Sequence, residues 1–509
     1  MTRFNNGLKG NTGASITSAA FSGTDIIFTK NDTSTVTLED ATVALKGDKG
    51  DTGSAVPVDD ASTAADRVLS AHYIKGQLSA IDDYKRPRYL TKPTGFTFSK
   101  TVNIQETSVG DFVISPSIDQ IYPNSKTLKT YYVDNVNGND SNSGLAMDVA
   151  LKSIATAWGK SDVETIILKP DNYGSANNGN SYFLPDKNIR IISQGGKSIW
   201  FQGFCGSERS WTDLTGGVYL NTSTLVPLIV HDCTVKDEDY NYHYSQYTVA
   251  GDLATCEATA GSFWKNTVTN AIYIHTIDGR EPDRDILINS TATGWALSIT
   301  QAITTTNRFY HLENIMFIGG IGCSSTAAAE KITITAKGCE FSFIGSGTQN
   351  CFSSLGNTFT YLVDCIAEGG VADGFNYHGS GALNPEAIEV NCVGRNNGIG
   401  SGSNINNGST VHEGVAIVRV NGHYHGNEGP NVADVHESMS WNIGCYAHDS
   451  VATADASKID FSVYNTAKMW LYRCNAYGDS VVNLNQADTS TLYNRESNYD
   501  DTSGTVTSY

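Results

Sequence analysis

The sequence has no run of apolar residues approaching the ~18 that cross a bilayer, so no membrane insertion is expected. Its opening, MTRFNNGLKGNTG, lacks the apolar core of a signal peptide, which implies synthesis in a cytoplasm without a standard export leader. Positive charge is scarce. The 34 Lys and Arg stand against 53 Asp and Glu, and a formal net charge of −19 argues against a nucleic-acid polyanion as the main partner. A local patch can differ from the net, so an acidic polysaccharide stays open. Helical runs of Ala, Glu, Leu and Lys are missing, while glycine fills 49 of 509 positions; this points to an all-β chain with many turns. No CxxC pair marks a zinc site.

What is present, from about Ile315 to Asn485, is a repeat. Aligning TAKGCEF, YLVDCIA, IEVNCVG, VRVNGHY, WNIGCYA and LYRCNAY brings Cys339, Cys365, Cys392, Gly422, Cys445 and Cys474 to one position, with steps of 26, 27, 30, 23 and 29 residues. Short apolar strands at such a ragged period, separated by Gly, Asn, Asp and Ser, read as a parallel β-helix whose rungs carry loops of different length. Five of the ten cysteines share the repeat position, so a buried stack of free thiols explains them better than disulfides.

A second column runs through FNYH, TVHE, DVHE and DFSV. Strand side chains alternate between faces, so with Phe375, Tyr377, Val411, Val435, Ile459 and Phe461 inside, His378, His412, His436 and Ser462 form an outer file. Asn376, Thr410, Asp434 and Asp460 form a second file beside it. On neighbouring rungs, Asp434 and Asp460 would stand near the ~5–5.5 Å that a retaining glycosidase needs between its carboxylates. Asp373, Glu413 and Glu437 widen the choice of acid and base. Strict alternation would bury Glu413 and Glu437 unless the strand ends at the preceding histidine. The histidines can shuttle protons. Beside an acidic sugar, His412 or His436 with Tyr377 could instead start a β-elimination, with Arg395 or Arg419 neutralising the acid group. Tyr424 can stack on a sugar ring or belong to the coil core. Imidazoles in a line on a flat sheet make a poor tetrahedron, so neither metal nor cofactor is expected.

In chain order, residues 1–57 form a stem with Gly-x-y runs at 8–13 and 46–53 around a strand-rich segment. Residues 58–87 form a helical neck that packs against copies of itself. Residues 88–127 are a connector, and 128–490 are the β-helix with an inserted β subdomain at 203–290. Residues 491–509 are a short tail. The coil opens at VDNVNGNDSNSG, whose Asp134, Asn137, Asn139, Asp140 and Asn142 form Asx turns in preference to a Ca²⁺ cage. The apolar helix Leu151 to Trp158 then caps the open end.

The Gly-x-y clips, the neck with LSAHYIKGQLSAI, the VDNVNGNDSNSG opening followed by LKSIATAW, and the Cys or Asn ladder together resemble bacteriophage tailspikes of the right-handed parallel β-helix type, which are capsule or O-antigen depolymerases. The resemblance implies a homotrimer in the virion tail that grips a bacterial surface polysaccharide. It also implies attachment of the N-terminus to a tail or adaptor protein. The fold does not fix the chemistry, so hydrolase, lyase and non-cleaving spike all stay open, with an endo-acting hydrolase preferred.

Overall fold

The computed structural model describes residues 88–107, 110–122, 128–175, 187–236, 244–290, 295–301, 307–326, 331–343, 350–398, 405–452 and 458–509, with the backbone of three further strands. Those strands, Ile16–Ser22, Asp25–Lys30 and Thr35–Leu38, pair antiparallel in chain order as a unit of their own. The Gly-x-y runs and the helical neck lie outside the described residues.

From Lys129 onward the chain winds as a parallel β-helix with three walls. Among the described residues the first wall has twelve strands, the second and third nine each, and neighbours in every wall come from successive rungs. The register is continuous: Leu362, Glu389, Arg419, Asn442 and Leu471 form one file in the first wall. Between first and second walls the chain turns through a single left-handed residue, Asn314, Gly338, Asp364, Asn391, Asn421, Gly444, Arg473 or Glu496. Asn and Gly tolerate that conformation best. Where the column carries amides they bond along it: Asn391 Nδ2 donates to Asp364 Oδ1 at 2.9 Å, and Asn421 Nδ2 to Asn391 Oδ1 at 3.2 Å.

The next residue is the cysteine column. Cys339, Cys365, Cys392, Cys445 and Cys474 are buried free thiols, and burial raises the pKa of Cys339, Cys365 and Cys474. Gly422 interrupts the column for a steric reason: a Cβ there would stand 2.4 Å from the Tyr424 hydroxyl.

What covers the walls decides where a site can lie. A three-stranded sheet, Arg88–Leu90, Asn103–Glu106 and Phe112–Ser115, lies on the outside of the first wall. There Phe96, Phe98, Phe112 and Ile114 pack against Tyr361, Val418, Trp441 and Trp470. At roughly 1.5–3 kcal/mol for each fully buried large side chain, this contact holds the connector firmly. The described residues of 203–236 and 244–290 fold as two mainly antiparallel sheets. Their Cys205, Ile229 and Leu287 cover Ile199, Phe201, Met316 and Ile318 on the outside of the second wall.

At the start of the coil, the helix Ile154–Gly159 buries Ile154, Ala157 and Trp158, and the Ser153 hydroxyl caps it by accepting the Thr156 N–H at 3.1 Å. The preceding turn spends its acids on backbone: Asp134 Oδ1 accepts from Val136 and Asn137, and Asp140 Oδ1 from Lys152 and Ser153. The coil does not stop at 490. Thr491–Arg495 and Val506–Ser508 add strands to the first wall and Thr502–Ser503 adds one to the third, so the expected tail is a further rung.

Candidate functional site

The site is built where the third wall turns back to the first. Phe375–His378 and Ser409–Val411 pair with Tyr377 opposite Val411, and His412 N donates to Tyr377 O at 2.9 Å. His378 and His412 therefore stack, with ring centroids 3.9 Å apart and planes at 14°. The second strand ends before His412. Glu413 then adopts a left-handed conformation, φ 42°, which swings its carboxylate out of the alternation that would have buried it. Gly379 on the rung below makes room, since a Cβ there would lie 2.4 Å from the Glu413 carbonyl oxygen. The Asn384 amide, turned to donate, bonds the same oxygen at 2.7 Å.

Glu413 is the hub. Its Oε2 lies 2.9 Å from His378 Nδ1 and its Oε1 3.0 Å from His436 Nδ1, with 41% of its side chain still exposed. The His436 ring centre stands 5.7 Å from that of His412. Burial, then the two neighbouring imidazoles, push the pKa of His412 down to about 3, so this ring is neutral near pH 7. Thr410 Oγ1 lies 3.3 Å from its Nε2. Glu437 is exposed beside His436.

The expected register holds from His378 to His412 and slips by one residue at the next rung. Val411 faces Asp434, not Val435, and His436 falls in the column of Glu413. A one-residue slip exchanges the two faces of a strand. The cause is the turn before it: Asn427 Nδ2 bonds Asn431 Oδ1 at 2.9 Å and Gly408 N donates to Asn431 O at 2.9 Å, which sets Val432 opposite Ser409.

Asp434 therefore points inward and leaves the expected second file, where Ala433 stands beside Thr410 instead. It meets Arg419 Nη1 at 3.1 Å, and both are fully buried. Glu389 shares this interior, accepting from Tyr377 at 2.9 Å, Tyr424 at 2.6 Å and Ser409 at 2.9 Å. Burial raises the pKa of Asp434 and Glu389, while Arg419 and the hydroxyls oppose that rise. Tyr377, Tyr424, Arg419 and Asp434 are thus a polar knot inside the coil, out of reach of a polymer.

Asp460 is also buried, held by Asn431, Ser480 and Asn483 at 3.1, 2.6 and 2.8 Å. Val463, not Asp460, faces Asp434, so the two acids are offset by three residues, about 10 Å of strand. They form no catalytic pair. Asp373 is buried too and accepts from Asn376 Nδ2 at 2.7 Å and from Asn407 N at 2.7 Å. Asn376 and Thr410 are buried on the outer side of the third wall. Arg395 belongs to a different face, the second wall, where it pairs with Glu368.

That second wall carries a group the sequence reading missed. Glu368, Arg395, His425, His448 and Tyr477 form one file. His448 Nε2 lies 2.7 Å from His423 Nε2, and the His448 ring stacks on Tyr477 with centroids 4.7 Å apart. In the neighbouring file of the same wall, burial and the Glu368 carboxylate raise the pKa of Glu340. The signal was available, because each member of the file from Glu368 to Tyr477 stands three residues after the cysteine column.

No family model and no curated protein matches the chain. Among solved structures, one titled glycoside hydrolase is similar over 75% of this chain and 94% of its own, at 11% identity and a TM-score of 0.43. The pectate lyase Pel9A is similar over 74% and 80%, at 14% identity and 0.32. Bacteriophage CBA120 tailspike protein 3 is similar over 87% and 67%, at 9% identity and 0.24.

Proposed function

We propose that the protein binds and cleaves a bacterial surface polysaccharide, capsule or O-antigen, as an endo-acting glycoside hydrolase of the tailspike type, with Glu413 as its working carboxylate. One observation carries this reading: a half-exposed carboxylate stands between two imidazoles, hydrogen-bonded to His378 Nδ1 at 2.9 Å and with His436 Nδ1 3.0 Å from its other oxygen. A proton held between Glu413 and His378 or His436 can pass to a glycosidic oxygen as the bond breaks. Glu437, next in the chain to His436, takes the second role, activating water.

β-Elimination is the second reading, with His436, an exposed imidazole of the same corner, as the proton acceptor; His412, pushed down to about 3, is too weak a base for that role. Against it, neither arginine expected to neutralise a sugar acid is at this corner. Digestion of purified capsules followed by mass spectrometry tests both. Hydrolysis gives new reducing ends without a double bond, elimination gives products with the ultraviolet absorbance of an unsaturated uronate, and unchanged chain length leaves only a binding spike.

The working form on this reading is a homotrimer on the virion tail, joined through its N-terminus to a tail or adaptor protein. Sedimentation equilibrium is expected to give three times the mass of one chain, and a monomer at all concentrations would contradict it.

A further inference from the structure

A straight file of histidines brings no three donors to one point, but the left-handed turn at Glu413 changes that geometry. His378, His412 and Glu413 each bring a ligand atom to within 4.8 Å of the other two, and all three side chains are partly open to solvent. Among the described residues this is the group in which three such atoms converge. We propose that this corner binds one divalent ion of the zinc class through His378, His412 and Glu413, with a coordination position left open towards solvent.

The donor set selects the ion. Two imidazole nitrogens and one carboxylate oxygen suit Zn²⁺ and its transition-metal neighbours, whereas Ca²⁺ and Mg²⁺ take oxygen ligands. Bonds of roughly 2.0–2.2 Å set tetrahedral ligand atoms about 3.3 Å apart. Closing from the present separation therefore asks no more than about 1.5 Å of side-chain adjustment at half-exposed positions.

The surroundings orient the ligands as metal sites require. His436 holds Glu413 Oε1 at 3.0 Å and leaves Oε2 for the ion. The Thr410 hydroxyl, 3.3 Å from His412 Nε2, steadies that ring and leaves its other nitrogen available. Asn384, with the space at Gly379, fixes the Glu413 backbone. The ion takes the place of the proton between His378 Nδ1 and Glu413 Oε2, and that proton leaves to solvent.

The ion site goes beyond cleavage and competes with it: the ion displaces the proton that Glu413 would pass to the glycosidic oxygen, so the Zn²⁺-loaded form should cut the polymer more slowly than the stripped one. The test uses the full chain, stripped with a chelator, dialysed against Zn²⁺ and assayed by elemental analysis and by melting. Wild type and His448→Ala, altered in the other histidine group, are expected to hold one Zn²⁺ per chain and to melt higher with it. His412→Ala and Glu413→Gln should bind at least about tenfold more weakly and show no Zn²⁺-dependent rise in Tm. His378→Gln serves if His412→Ala does not fold. No uptake by wild type, undiminished uptake by the corner variants, or loss in His448→Ala would overturn the proposal. Capsule digestion is scored separately on the same samples, so a failure of the ion site and a failure of the cleavage reading are told apart.

Discussion

Arg419 lies between two carboxylates inside the coil and bonds Asp434 while facing Glu389 in register. Removing the cation leaves two buried carboxyl groups with hydroxyl donors but no counter-charge. Arg419→Met is therefore expected to destabilise the fold by about 3–5 kcal/mol, read as a shift in the urea midpoint. Asp460 contributes to the pH dependence. Burial, opposed by bonds from Ser480, Asn483 and Asn431, raises its pKa from the ordinary 3.8 to about 6. A carboxyl raised on folding favours the folded state below its unfolded value and loses that contribution as pH climbs through the folded one. Stability should thus fall between about pH 4 and pH 6 by up to roughly 3 kcal/mol, and Asp460→Asn should flatten that slope. The interior knot was misread from the sequence, which set Arg419 beside a sugar acid, although part of its signal was present. Glu389, Arg419 and Asn442 each stand three residues before the cysteine column, in a file otherwise held by Ala336, Leu362 and Leu471. The position of Asp434 was not legible, because TVHE and DVHE look alike while the length of the turn before them, set by Asn427 and Asn431, decides which residues pair.

At the scale of the element, the corner works because one strand ends early and the next residues turn left-handed. Glu413, His436, Asn465 and Asp488 share this conformation, with φ between 42° and 57°. They bond along the column: Asn465 Oδ1 accepts from His436 N at 3.1 Å and Asp488 Oδ2 from Asn465 N at 3.0 Å. The sequence reading allowed Glu413 to face outward if its strand ended at the histidine, and the strand ends there; His436 then came to it by the slip. Two glycines give tests at this scale. Gly379→Ala drives a Cβ against the Glu413 carbonyl, so cleavage should drop by about tenfold or more while the coil stays folded by circular dichroism. Gly422→Ala drives one into the Tyr424 ring and should cost about 1–3 kcal/mol of stability without changing the polymer products.

For the whole molecule, the outer surfaces are divided among its parts. The connector covers much of the first wall and the inserted sheets cover the opening rungs of the second, while the histidine corner stays partly open. The β-helix itself was legible from the cysteine period and the Gly and Asn turns, because every rung repeats the same steric demand at its left-handed residue. How the connector lies was not legible, since Phe96, Phe112 and Ile114 find their partners more than 240 residues away, in Tyr361, Val418, Trp441 and Trp470. The central claim is that the polymer is cut at Glu413. Its most direct test is the chain length of a susceptible capsule after digestion by wild type and by Glu413→Gln, with binding measured on the same polymer. Wild type should shorten it and Glu413→Gln should bind it but cut at least about 10²-fold more slowly; cutting by Glu413→Gln at the wild-type rate would contradict the account.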